Sequence, residues 1–266
     1  MKFSRILFSL LGVALVGCIN SAATQAIELL PHQAVYRMSL AEAASKSGVS
    51  DAKGVMMYKF EESCEGWASE TNVFLKLQYV EGEEEETTWS MVSWEAKDGL
   101  KYRFRVRQNR NGRQVENLNG SVVRQSIDGE AVAKFSSPEG KTIKLPEGTM
   151  FPTHHLQALI EEGENGTLTF TRTVFDGASL DNPYNINALI TGKPRKKKLN
   201  AKANKEALRH IRMAFFQIGS RAEFPEFELG IDYRSNGIAD YIVQDFGDFS
   251  LNLVPDNIEI LDQPKC

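Results

Sequence analysis

Lys101-Tyr102-Arg103-Phe104-Arg105-Val106-Arg107-Gln108 is the stretch that decides the fold class. Tyr102, Phe104 and Val106 recur at every second position, with Lys101, Arg103, Arg105 and Arg107 between them. A strand sends successive side chains to opposite faces, so this period gathers the apolar groups on one side and the cations on the other. A helix would scatter both sets. The segment therefore reads as a half-buried strand. Its basic face either lines a groove for an anionic ligand or forms the outer face of a sheet.

The same alternation extends in both directions. Val73, Leu75, Leu77 and Tyr79 share a face, opposite Lys76 and Gln78. Leu168, Phe170 and Val174 lie with Arg172, opposite a ladder of Thr167, Thr169, Thr171 and Thr173. Ile211, Met213 and Phe215 alternate, as do Phe249, Leu251 and Leu253, then Ile258 and Ile260. Strands rich in Val, Ile, Thr, Phe and Tyr at this density predict a mainly β protein, a many-stranded antiparallel sheet.

Turn signals separate these runs. Asp98-Gly99 and Asp128-Gly129 are hairpin candidates, since primed turns need the positive φ that Gly and Asp tolerate. A turn at Asp98-Gly99 sets Trp94 opposite Arg103, within reach of a cation–π contact. Asn111-Gly112, Asn119-Gly120 and Asn236-Gly237 mark further turns or bulges. Many strands on short links suggest a barrel or a strongly curled sheet. Helix is scarce: Thr153 is expected to cap a short helix from His154 to Gly163, after Pro152, and Leu40 to Lys46 and Lys202 to Leu208 are expected as single turns.

The chain opens with Lys2 and Arg5, an apolar run from Ile6 to Gly17, then Ser21, Ala22, Ala23 and Ala26. This is the layout of a secretory signal, too short to span a bilayer, so residues 1–26 are expected as a leader and 27–266 as a single domain in the periplasm. Cleavage after Ala26 or Ala23 leaves a free chain. Leu15-Val16-Gly17-Cys18 also resembles a lipobox, which would make Cys18 a lipid anchor. Either way Cys64 and Cys266 remain, in a compartment where thiols oxidise. They can pair within the chain, closing a loop of roughly 200 residues and adding about 5 kcal/mol by chain entropy. The alternatives are free thiols or pairing between molecules.

The formal net charge of −4 makes nucleic acid an unexpected partner. Four histidines show no metal-ligand spacing, and no HExxH or GxSxG occurs, so neither a metal nor another cofactor is expected. His154 and His155 would point about 100° apart on a helix and cannot face one ion together. Glu81 with Glu83 to Glu86 reads as a solvated hairpin tip. Lys193, Arg195, Lys196, Lys197 and Lys198 form a basic run, either a solvated loop or a contact for acidic headgroups or lipid A phosphates. Asp176, at a strand end, has no second carboxylate or base at a defined spacing and reads as a turn residue.

Several segments, taken together, resemble a known family. They are Pro31-His32-Gln33-Ala34-Val35-Tyr36, Ser63-Cys64-Glu65-Gly66-Trp67, Phe151-Pro152-Thr153-His154 and Val174-Phe175-Asp176-Gly177. Near the end follow Phe227-Glu228-Leu229, Asn236-Gly237-Ile238-Ala239 and Asp245-Phe246-Gly247-Asp248-Phe249. In this order they resemble the EipB-like family of Gram-negative periplasmic envelope-integrity proteins, long catalogued as a domain of unknown function. The resemblance implies a β-spiral, a rolled sheet similar to the LolA and LolB carriers. It also implies a bond between Cys64 and Cys266, no catalytic residues, and a role in envelope integrity under stress. The lipobox-like Leu15 to Cys18 departs from the plain signal of the family.

The expected function is that of a non-enzymatic envelope protein that binds an envelope protein partner. A lipid or lipoprotein carrier with an apolar cavity is the alternative, with lipid or lipopolysaccharide as ligand, and an envelope hydrolase using Asp176 or His154 comes third. Strand phase nominates Leu75, Leu77, Phe104, Phe170, Phe215 and Leu251 as lining of an apolar interior, though the same residues would make a packed core.

Overall fold

The alternating runs become strands of a single rolled sheet. The computed structural model describes residues 27–192 and 208–266. In chain order the strands are β1 (His32–Ala43), β2 (Val49–Glu62), β3 (Gly66–Tyr79), β4 (Glu84–Ala96), β5 (Lys101–Arg110), β6 (Arg113–Val123), β7 (Ala131–Ser137) and β8 (Thr142–Leu145). The helix α1 (Pro152–Glu164) follows, then β9 (Thr169–Val174), β10 (Tyr184–Thr191), β11 (Leu208–Gln217), β12 (Phe227–Arg234), β13 (Ala239–Asp245) and β14 (Phe249–Ile260).

The fourteen strands form one antiparallel sheet, ordered β8-β7-β6-β5-β4-β3-β2-β1-β14-β13-β12-β11-β10-β9. Every neighbour is a sequence neighbour except β1 and β14, which bring the two ends of the chain together in mid-sheet, from His32↔Ile260 to Ala43↔Phe249. The roll does not close. Its edges, β8 and β9, are consecutive in sequence, and the link between them leans on β9. There the Met150 N–H donates to Thr173 O (2.8 Å), and the Phe175 N–H donates to Met150 O (3.0 Å).

Two apolar cores fill the inner face. The larger draws on β1 to β3 and β9 to β14, with Tyr36, Met56, Leu77, Phe170, Ile211, Phe215 and Leu251 among its buried members. The other is built from Tyr102, Phe104, Val106, Leu118, Val122, Phe135 and Leu145. The helix region joins them: Leu159 enters the first core, Phe151 and Phe175 the second, and Ile160 packs with Leu29, Phe60 and Trp67 in a third cluster. Full burial of each such side chain stabilises by about 1.5–3 kcal/mol.

Most punctuation falls where the sequence puts it. The Asp98-Gly99 turn sets Trp94 opposite Arg103, whose guanidinium lies 5.6 Å from the indole centroid. Asn111 and Gly112 turn β5 into β6 with φ of 49° and 73°, as a primed turn requires. Asn119-Gly120 is a bulge in β6, and Asn236-Gly237 turns β12 into β13.

Other expectations need correction. Asp128-Gly129 does not close a tight hairpin; it lies in a longer connection that ends before Ala133 pairs with Val122. Leu168 precedes β9 and its side chain is exposed (67%), outside the core, although its carbonyl already accepts the Ile190 N–H of β10 (2.8 Å). Leu40 to Ala43 continue β1, leaving Ser45–Ser47 as a single 3-10 turn. Of Lys202 to Leu208, only Leu208 lies among the described residues, where it opens β11. Thr153 does not cap α1 with its side chain, and Gly163 lies inside the helix rather than ending it.

Candidate functional site

The nominated interior residues all face inward, but in two groups. Leu77, Phe170, Phe215 and Leu251 are buried in the larger core, with Leu75 half-buried against them, whereas Phe104 belongs to the other core. Where the two cores meet, on β3 and β4, several inner positions are only partly buried. Val73 and Leu75 on β3, and Trp89 and Met91 on β4, stay half-buried; across the roll so do Phe227 and Leu229 on β12. Pairing places Val73 opposite Trp89, making a continuous apolar strip. A surface of this kind can take up an acyl chain or the apolar side chains of a partner.

A buried polar node fixes the start of α1 beside this strip. Glu95 occupies an inward position of β4 and is 1% exposed. Its carboxylate accepts the Thr153 N–H (2.7 Å) and the His154 N–H (3.2 Å), and it also contacts Nδ1 of His154. Free N–H groups and the helix dipole both favour a carboxylate there, so a residue of the sheet does the capping. Nε2 of His154 lies 3.2 Å from the Lys97 carbonyl, so both ring nitrogens face acceptors, an arrangement that favours the protonated ring. Burial pulls its pKa down, but the hydrogen bond and charge of Glu95 outweigh burial and raise it. Buried Arg124 completes the node. It donates to Gly99 O (2.8 Å) and Thr149 O (2.6 Å) and lies 4.6 Å from the centre of the Phe151 ring.

The node lies close to the joined ends of the chain. Cys64, in the β2–β3 turn, is bonded to Cys266 (Sγ–Sγ 2.09 Å, Cα–Cα 5.7 Å), and both residues are exposed. The Lys97 N–H donates to Glu65 O (2.9 Å), and its ammonium pairs with Glu62 (2.7 Å), linking the β2–β3 turn to the β4–β5 turn beside His154.

The other candidate chemical groups lie apart from one another, and the buried Nε2 of His155 has no hydrogen-bond partner. His32 is buried, its Nδ1 2.7 Å from Leu30 O, and burial lowers its pKa. His155 is buried against Phe170, and burial, helped by Arg172, lowers its pKa to about 4. His210 pairs with Asp232 at 2.7 Å. The Asp176 carboxylate accepts the Ala178 N–H (2.8 Å) inside its own turn, and burial raises its pKa. No group of three His, Cys, Asp or Glu among the described residues is placed to hold a metal ion, and no helix there is long and apolar enough to cross a membrane. Cys18 and the run Lys193, Arg195, Lys196, Lys197 and Lys198 lie outside the described residues.

Sequence reasoning passed over Glu95 and Arg124. The signal was available in the alternation itself: Glu95 continues the inward phase of Trp89, Met91 and Ser93, and Arg124 that of Val122. Charges at core positions ask for partners.

The sequence profile of the EipB-like family matches residues 23–262. The chain belongs to the EipB-like family. A curated relative, the "Cell envelope integrity protein EipB" of Brucella abortus (strain 2308), is 28% identical over 276 residues, which cover 100% of this chain and 98% of the relative. A crystal structure described as a β-barrel-like protein of a domain of unknown function, also from Brucella abortus, matches with a TM-score of 0.81 at 27% identity. The match covers 89% of this chain and 100% of that one. The EipB-like assignment and the rolled sheet thus agree over nearly the same residues.

Proposed function

We propose that this chain is a non-enzymatic periplasmic protein that maintains cell-envelope integrity by binding an envelope partner. The observation that carries this reading is the end-to-end match to a relative named for envelope integrity. The geometry supports a binder: His154 and Asp176 are each engaged in local structure, while Val73, Leu75, Trp89 and Met91 form a half-buried apolar strip on the inner face. Deleting the gene and challenging cells with detergent or a cell-wall antibiotic tests the role. Sensitivity reversed by a restored copy is the expected result, and wild-type resistance in a strain without a redundant copy contradicts it.

The same half-buried apolar strip favours a second reading, a carrier of lipid or lipoprotein. Native mass spectrometry of protein taken from the envelope separates the two. A bound lipid supports the carrier, and a chain that never carries one removes it.

A further inference from the structure

The stripe of cations on β5 is the outer face of the sheet, and it continues across the neighbouring strands. Lys101, Arg103, Arg105 and Arg107 are all exposed, and Lys134 on β7 and Lys144 on β8 point the same way. Register connects them: Arg103 pairs with Ser121, and Ser121 with Lys134, which is flanked by Val132 opposite Lys144. No outward position of β5 to β8 carries a carboxylate, since Glu116 shares the inward phase of Leu118. Among the described residues none of the six cations forms a salt bridge, in contrast to Arg37, Lys46, Lys53, Lys59 and Lys76, which all do. A chain of net charge −4 therefore concentrates unneutralised positive charge on one face.

The shape of the array distinguishes its partners. The β5 row extends for about 20 Å along the strand, and the step from β5 to β8 covers about 14 Å across strands. An extended acidic peptide follows a single line, whereas a leaflet of anionic lipid presents phosphates in two dimensions. Exposed Val92, Val123 and Val132 lie among the cations, and a groove of about 840 Å³ opens beside Val123, Val132, Lys134 and Lys144, with one carboxylate, Glu130, on its wall. Apolar groups between long basic side chains suit the boundary between headgroups and acyl chains. We propose that the outward face of β5 to β8 docks on the headgroups of an anionic phospholipid bilayer. This surface is separate from the inner strip, so it stands whichever ligand that strip takes.

The test is co-sedimentation of the mature chain with vesicles of phosphatidylcholine alone or mixed with phosphatidylglycerol, at low and high salt. Each cation near an anionic surface contributes about fivefold to partitioning. The triple variant Arg103→Glu/Arg105→Glu/Arg107→Glu is expected to bind the mixed vesicles at least ~100-fold more weakly, with its melting transition and disulfide retained. A control of equal charge change, Arg37→Glu/Lys46→Glu/Lys53→Glu, is expected to lose far less. Should the triple variant not fold, Arg105→Gln alone is expected to lose about fivefold. Equal binding to neutral vesicles, insensitivity to salt, or equal losses in variant and control would overturn the proposal. So would binding that depends on Lys193 to Lys198 alone, or tighter binding to soluble polyglutamate, which would point to an acidic protein instead.

Discussion

His154 and His155 are neighbours with opposite proton preferences, and each leaves its own mark on stability. His155 is buried and neutral, with a folded pKa near 4 against 6.5 unfolded. The unfolded chain takes up its proton first on acidification, so this stability is full above pH 6.5 and is lost as pH falls toward 4, about 3 kcal/mol in all. His155→Leu is therefore expected to flatten the acid limb of a melting-temperature profile over that range; an unchanged limb would count against a neutral buried ring. His154 has the reverse sign. Its pKa is raised by Glu95, so its contribution is full below pH 6.5 and disappears as pH rises through the folded value. Glu95→Gln breaks the pair and weakens the cap of α1, with an expected loss of about 3 kcal/mol in denaturant unfolding and no remaining His154 contribution. The adjacency of the two histidines was legible in the sequence. Their environments were not, because Glu95 acts from 59 residues away.

Elements follow the alternation closely wherever one face is buried. The strand was readable residue by residue from Lys101 to Gln108, and the register at Trp94 and Arg103 followed from a single turn. Reading failed where the chain leaves the sheet. Leu168 keeps strand phase and its carbonyl still pairs with Ile190, but its side chain lies outside the core, and Asp128-Gly129 has turn chemistry inside a longer connection. Local patterns carry no record of where tertiary pairing stops. The turn at Gly177 shows what such a connection can be built for. Its φ is +72°, and a Cβ there would sit 2.5 Å from the buried Phe104 ring. Tyr102 also donates its hydroxyl hydrogen to Asp176 O (2.8 Å), so the turn after β9 is pressed onto β5. Gly177→Ala combines backbone strain with overpacking and is expected to destabilise by about 2–4 kcal/mol. Urea unfolding checks it, and a loss under about 0.5 kcal/mol, the scale of an ordinary surface change, would show that the contact is not needed.

At the scale of the molecule, a sheet that runs out from β1 and returns to it at β14 leaves its ends in the middle and its edges open. The bond between Cys64 and Cys266 spans 202 residues and pins that central seam. Chain entropy assigns it about 5 kcal/mol, which for a domain of this size corresponds to roughly 10–20 °C in melting temperature. Cys64→Ser and Cys266→Ser are each expected to melt lower by that order in calorimetry. Reductant is expected to have the same effect on the wild type, since both cysteines are exposed; equal melting in all states would show the staple to be idle. The rolled sheet and its family were legible from alternation and from segments spread along the chain. The separation of two cores and the half-buried strip where they meet were not, because they depend on how far the sheet curls. The most direct measurement is survival on detergent plates of a deletion strain given either the full chain or a copy that starts at Ile27. Rescue by the full chain alone is the predicted result. Rescue by the copy that starts at Ile27 as well, or full survival with neither, would contradict a role carried out in the envelope.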